Sequence, residues 1–341
     1  MAVFKEKLKI VELFSGIGAP KKALINLKIP HQTLFISEIL KEAIDGYNLL
    51  YDEVVTNFGD IKSIKKEQIK FYKNNVDFLF MGSPCQDFSH AGKNKGGFKE
   101  SNTRSSLVWK SLEIISYLKP KIVIFENVKN LLINNNHNQV LKEFLNEMSS
   151  MGYFYKYKIL NALNYNIPQN RERLFIVFSF DQLIIDKLTL TYGQEVLKSK
   201  LTDYLDIKNF EKRYLLEKKP IFNFSNFMSW YDKKGNKNGS YNRAWKIDKY
   251  CGTISYSNII KITDGSKVSQ LSALESLKLM GFSSDDYLKL SKKINDKKII
   301  SLSGNSIVVK ILEKLIEEIV IISESLQKSP KDISTNQRLY L

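Results

Sequence analysis

Over its first 180 residues the chain alternates apolar runs of strand length with amphipathic stretches of helix length, and few folds accept that rhythm. The apolar runs are Lys9–Phe14, Thr33–Ser37, Val76–Met81, Ile122–Phe125 and Arg173–Phe178. The helical stretches between them are Ala19–Leu27, Leu40–Leu50, Ser105–Leu118 and Gln139–Met151. Pro20 suits the first turn of its helix and Gly152 suits a C-terminal stop. Strand–helix alternation predicts an α/β fold with a parallel, doubly wound sheet and helices on both faces. Such sheets bind ligands at the carboxyl ends of their strands, so the turns at that edge are where chemistry is sought.

The rhythm is lost after residue 180. Residues 205–268 hold thirteen basic and six acidic residues together with eleven aromatics. Short strands and turns are expected there. The mixture suits a nucleic-acid surface, and equally a small aromatic core with a solvated lysine face. Helical character returns at Leu271–Met280 and Ser306–Leu326, and a polar tail begins at Gln327. The net charge of +16 also favours a polyanionic partner. Only six of the 52 basic residues are arginine: Arg104, Arg171, Arg173, Arg213, Arg243 and Arg338. A chain that defaults to lysine keeps arginine where a planar, forked cation is needed.

Some classes are excluded. No run of eighteen apolar residues suggests a membrane span, and the charged N-terminus does not read as a signal peptide. Two cysteines, Cys85 and Cys251, are too few for a disulfide scaffold, so a cytoplasmic protein is expected. With three scattered histidines, no metal site is expected.

Five short segments carry candidate chemistry. Phe14-Ser15-Gly16-Ile17-Gly18 follows the first strand, where glycines let backbone approach a ligand. Glu38 ends the second strand, where a carboxylate accepts from ribose hydroxyls, and Asp60 ends a third segment beside Ile61. Lys21 stands where a dinucleotide fingerprint has its third glycine, which fits a nucleoside cofactor without a pyrophosphate. Gly82-Ser83-Pro84-Cys85-Gln86-Asp87-Phe88-Ser89 follows an apolar strand and precedes a glycine-rich stretch with the composition of a lid. A lone cysteine is more often a small buried hydrophobe than a nucleophile, but its place at a strand end raises its standing. Glu126-Asn127-Val128 follows another strand, and Gln169-Asn170-Arg171-Glu172-Arg173 precedes the last one. Gly304-Asn305-Ser306 opens the expected C-terminal helix.

Taken jointly and in this order, these segments resemble the bacterial DNA (cytosine-5) methyltransferases. The resemblance covers most of the chain outside residues 181–268. It implies a Rossmann-like catalytic domain over 1–180 that binds S-adenosylmethionine, and a small target-recognition domain over 181–270. Residues 271–326 would return to the catalytic domain and 327–341 form the tail. The resemblance makes Cys85 the nucleophile, Glu126 the acid that protonates the base and Asn127 the neighbour that holds the site. It gives Arg173 a contact with the base or intermediate, and Arg171 the task of organising Glu126. It assigns Phe14, Gly16, Ile17, Gly18, Glu38, Asp60, Ile61, Pro84, Asn305 and Ser306 to the cofactor pocket. Gln86, Ser89, Lys93, Arg104, Arg243, Thr253 and Ile254 are expected on the side of double-stranded DNA. A monomer is expected, and a companion restriction endonuclease is a candidate partner.

Three departures stand out. Ser269 replaces an arginine usual in the family, Ile39 follows Glu38 where an aromatic is common, and Ser83 replaces Phe or Pro. Two other readings compete with methylation of DNA. One branch of the family methylates tRNA, but the long aromatic-basic segment argues against it. A non-catalytic DNA-binding protein on this fold is the other, and the complete set of chemical residues argues against that.

Overall fold

A computed structural model describes residues 7–84, 107–206, 221–230, 243–256 and 259–328. Its main sheet has six strands in the order β2-β1-β3-β4-β6-β5. These are β1 (Leu8–Leu13), β2 (His31–Ser37), β3 (Phe78–Met81), β4 (Ile122–Val128), β5 (Phe154–Asn161) and β6 (Glu172–Ser179). The central strands are covered on both faces, and their sequences are correspondingly continuous apolar runs; all four residues of β3 are buried. Helices Ala19–Asn26, Lys41–Tyr51, Leu107–Leu118 and Asn135–Ser150 lie close to their expected positions.

The expectation of an all-parallel sheet needs correction. Strands β1 to β4 are mutually parallel, but β6 is antiparallel to both β4 and β5. The link over 162–171 is too short for a crossover helix, so β6 turns back beside β5. Strand β5 itself escapes the sequence reading. It is an edge strand of alternating tyrosine and lysine, largely open to solvent, and lacks the apolar run of its neighbours.

The order of strands matters for function. From β1 the chain moves outward to β2 and then crosses back to β3 on the other side. The carboxyl ends of β1 and β3 therefore flank a topological switch point, where open α/β sheets form their crevice.

Residues 271–328 form four helices, not the two expected. They are Ala273–Lys278, Ser284–Ser291, Asp296–Asn305 and Val309–Lys328. Capping boxes start the first two: Ser272 with Glu275, and Ser283 with Asp286. Asn295 caps the third. Asn305 thus ends a helix rather than opening one, and residues 306–308 break the chain before the last helix. That last helix packs on Ala19–Asn26, beside the turn after β1.

A second sheet runs in the order β11-β10-β9-β8-β7. Its strands are β7 (Phe222–Asn223), β8 (Phe227–Ser229), β9 (Arg243–Lys246), β10 (Lys261–Thr263) and β11 (Val268–Gln270). It has a small core of its own in Trp230, Ala244 and Val268. Ile184, Leu201, Ile254 and Ile260 instead join the core of the main sheet, so the second sheet is rooted in the first. No described helix is long and apolar enough to cross a membrane.

Candidate active site

The crevice at the switch point is lined by Glu12 to Gly16 from the end of β1, Phe80 to Gly82 from β3, Glu126 from β4, and Asn305 to Ile307. Its floor is the turn Phe14–Gly18. Phe14, Gly16 and Gly18 all adopt positive φ, at 57°, 54° and 76°. Around Gly16 an added Cβ would meet nothing within 4 Å, whereas at Gly18 it would come within 2.6 Å of Tyr47. Gly16 therefore fronts open space and Gly18 is fixed by packing. Tyr51 helps hold the turn, its hydroxyl donating to the Ile17 carbonyl at 3.1 Å and the Gly18 carbonyl at 2.5 Å.

Glu38 is tied to the same turn. Its Oε2 accepts from the Gly16 amide at 2.8 Å, and its Oε1 accepts from the Ile39 and Leu40 amides at 2.8 and 2.9 Å. Ile39 beside it is 67% exposed. Asp60 accepts from the Lys62 amide and so caps the turn that begins at the buried Ile61. Asn305 is exposed on the crevice and Ser306 is buried behind it.

Glu12 is a functional candidate that the sequence reading passed over. It is buried, its Oε1 accepts from the Tyr47 hydroxyl at 2.6 Å, and its Oε2 has no partner. Burial pushes its carboxyl up to about 7, against the pull of the Tyr47 hydrogen bond and of Lys21. Lys21 pairs with Glu53 and lies over the Tyr47 and Tyr51 rings. Ser15 Oγ, also in the crevice wall, is likewise buried without a partner. A lone acid in an apolar strand directly before FSGIG was the available signal.

Glu126 and Arg173 form an ion pair at the second corner of the candidate site. They face one another from adjacent strands, with Arg173 Nε 3.2 Å from Glu126 Oε1, and both side chains are largely buried. Burial raises the Glu126 carboxyl above the usual carboxylate range, while Arg173 and then Arg171 pull it back down. A Cβ placed on Gly82 would lie 3.6 Å from Glu126 Oε2, so the segment leading to Cys85 abuts this acid. Asn127 secures that segment: its Nδ2 donates to Ser83 Oγ at 3.0 Å and to the Ser83 carbonyl at 3.3 Å. Its Oδ1 accepts from the Val128 amide.

The two arginines divide their work differently from the expectation. Arg173 holds Glu126. Arg171 turns away and donates to the carbonyls of Ile254, Gly304 and Ser306. Ile254 is 1% exposed, its side chain in the core and not on a DNA surface. Thr253 remains partly open and donates to the Asn170 carbonyl. On the second sheet, Arg243 lies over the Phe227 ring at 4.5 Å and the Trp245 ring at 5.7 Å. Ser269 is fully buried, in the strand where the family's usual arginine would sit. Cys85, Gln86, Ser89, Lys93 and Arg104 lie outside the described residues, as does the glycine-rich stretch 91–103.

The family model "C-5 cytosine-specific DNA methylase" matches residues 8–321. The chain is a member of that family. The type II methyltransferase M2.ScrFI of Lactococcus lactis subsp. cremoris is 28% identical over 92% of this chain and 99% of its own length. The orphan methyltransferase M.SPRI of Bacillus phage SPR is 36% identical over 61% of this chain and 47% of its own length. Among solved structures, the Dnmt2 methyltransferase of S. pombe superposes with a TM-score of 0.68 at 20% identity. It covers 94% of this chain and 99% of its own, which supports the fold. The C-5 cytosine methylase chain described here thus carries a crevice, an acid–arginine pair and a second sheet rooted beside them.

Proposed function

We propose that this chain methylates carbon 5 of cytosine within a specific sequence of double-stranded DNA. The Glu126–Arg173 pair at the mouth of the switch-point crevice, abutting the segment that leads to Cys85, carries this reading.

The donor we propose is S-adenosylmethionine. The crevice suits it: the partnerless Glu12 Oε2 is an acceptor fit for a cation, and Gly16 fronts open space. Glu38, Asp60, the Phe14–Gly18 turn, Pro84 and Asn305 would hold it. When bound, it supplies an electrophilic methyl group on a sulfonium.

The chain's own residues make the cytosine ready to receive that group. Carbon 5 of cytosine is a poor nucleophile. Addition of the Cys85 thiolate to carbon 6 turns the ring into an enamine and makes carbon 5 reactive. The same addition puts electron density on the ring nitrogens. Glu126 shares a proton with nitrogen 3, and the burial that raises its carboxyl above the usual carboxylate range favours the protonated form. Arg173 keeps that carboxyl oriented, and Asn127 fixes the backbone from which Cys85 follows. A base later removes the carbon-5 proton and the thiolate departs.

The target atoms are inside the duplex, so the base must be flipped out at a cost of about a few kcal/mol. Residues 181–270 form the recognition region in this reading, with the second sheet as its framework. Lysines set the register on phosphates, and side chains such as Arg243 and Thr253 face the DNA. A companion restriction endonuclease fits the kinship with type II enzymes.

The test is bisulfite sequencing of DNA from a methylation-free bacterial host that expresses this chain, beside a Cys85→Ala control. Methylated cytosines in one short context, absent from the control, are expected. Methylation that survives Cys85→Ala would overturn the mechanism, and transfer to tRNA but not to duplex DNA would overturn the substrate.

A further inference from the structure

Arg171 lies two residues from the catalytic corner, yet its guanidinium is spent elsewhere. It is 3% exposed and donates to three backbone carbonyls: Ile254 at 2.7 Å, Ser306 at 2.8 Å and Gly304 at 3.2 Å. These carbonyls belong to two different parts of the molecule. Ile254 lies on the segment that leaves β9 of the second sheet. Gly304 and Ser306 bracket Asn305, which edges the crevice. A single planar cation therefore spans the segment that leaves the second sheet and the turn that edges the crevice.

A second, independent contact joins the same two parts. A Cβ on Gly304 would stand 2.3 Å from the Ser255 carbonyl carbon and 2.5 Å from the Tyr256 amide nitrogen. The helix end that carries Asn305 is thus pressed directly against the segment after Ile254, with no room for a side chain between them. Gln169 reinforces this joint on the other side, accepting from the Ile254 amide at 3.1 Å and donating to the Leu279 carbonyl at 3.2 Å.

We propose that Arg171, with Gly304 as the close-packed face of the joint, is a positioning residue that couples filling of the cofactor crevice to seating of DNA on the second sheet. The inference rests on the functional reading above, which puts cofactor beside Asn305 and DNA beside Thr253. In this proposal a ligand seated against Asn305 and Ser306 displaces the backbone at Gly304–Ser306. A guanidinium is a rigid fork, so it transmits that movement to the Ile254 carbonyl instead of absorbing it. Linkage makes the effect reciprocal: seated DNA tightens the crevice by the same factor. A buried cation costs desolvation that apolar filling of the joint would avoid, so bare stability does not call for one here.

The test measures the dissociation constant of S-adenosylhomocysteine by calorimetry, without and with a duplex containing a sequence that the wild-type chain methylates. The readout is the ratio of the two constants, which a uniform loss of stability or affinity leaves unchanged. A ratio of about tenfold is expected for the wild type. Arg171→Lys replaces the fork with a point charge that cannot hold both segments, and the ratio should fall to within about twofold of unity. Gly304→Ala keeps Arg171 but wedges the segments apart, and should lose the ratio by that different route. Variants that retain the wild-type ratio would overturn the proposal. So would a wild type that binds both ligands with no coupling. A wild type that binds neither S-adenosylhomocysteine nor duplex DNA would overturn the functional reading itself.

Discussion

Arg173 Nε lies 3.2 Å from Glu126 Oε1, across two neighbouring antiparallel strands, where Asn127 pairs with Leu174 and Val128 with Arg173. The two side chains therefore meet through strand register, without help from any loop. The arrangement leaves Glu126 under two opposed influences. Burial lifts its pKa and Arg173 lowers it.

The sign of that balance predicts a pH profile. In the proposed mechanism Glu126 serves as an acid, so turnover should fall as pH rises through its folded pKa. Removing the arginine charge in Arg173→Ala removes the lowering influence, and the alkaline limb should move to higher pH while the maximal rate drops. Glu126→Gln has no proton to share and should lose about 10²- to 10⁴-fold in rate, with no such limb. Single-turnover rates across pH 5–9 check both; an alkaline limb that moves to lower pH in Arg173→Ala would reverse the assignment.

Asn127 holds Ser83 by two hydrogen bonds, and Cys85 is two residues further on. Asn127→Ala should leave Glu126 in place and loosen the approach to the proposed nucleophile. A misplacement of about 1 Å costs on the order of 10²-fold in rate, and that is the expected loss in kcat. Iodoacetamide offers a second readout. Cys251 is buried with its thiol pushed up to about 12, so alkylation reports Cys85. The variant should change the alkylation rate at Cys85 while Cys251 stays unlabelled.

The sequence makes β1, β3, β4 and β6 legible because strands buried on both faces must be apolar throughout. It hides β5, whose edge position lets tyrosine and lysine alternate. Strand direction leaves no mark in a buried apolar run, so the reversed β6 is betrayed only by the short link before it. The candidate site is legible where chemistry needs a side-chain type, as at Glu126 and Asn127. It is illegible where the partner is a backbone carbonyl. Nothing in the sequence marks the carbonyls of Ile254, Gly304 and Ser306 as acceptors, so the division of labour between Arg171 and Arg173 appears only in the fold.

The two glycines of the first turn should respond to alanine in different ways. Both have positive φ, which an L side chain adopts at a cost of about 1–2 kcal/mol. At Gly18 the new methyl would also strike the rings of Tyr47 and Tyr51, so Gly18→Ala should destabilise the chain by about 3 kcal/mol or more. At Gly16 there is no clash, and the loss should stay near the conformational cost. Its methyl would instead enter the crevice and weaken S-adenosylhomocysteine binding. Urea denaturation with calorimetry separates the two effects; equal loss of stability at both positions would contradict the geometry.

Glu12 gives a stability prediction with a definite sign. Its folded pKa is about 7 against an ordinary value of 4.5. A carboxyl raised on folding contributes stability that is fully present below the unfolded pKa and is lost as pH rises through the folded one. The wild-type chain should therefore lose this contribution between about pH 4.5 and pH 7. Glu12→Gln keeps an acceptor for the Tyr47 hydroxyl and cannot ionise, so it should escape the loss. The stability difference between the variant and the wild type should shift in the variant's favour by about 3 kcal/mol from acid to alkaline conditions. Urea denaturation at pH 4 and pH 8 measures it. A difference that does not change with pH would mean that Lys21 or water satisfies the Glu12 carboxylate in the folded chain. The partnerless oxygen would then no longer support a cation-binding wall in the crevice.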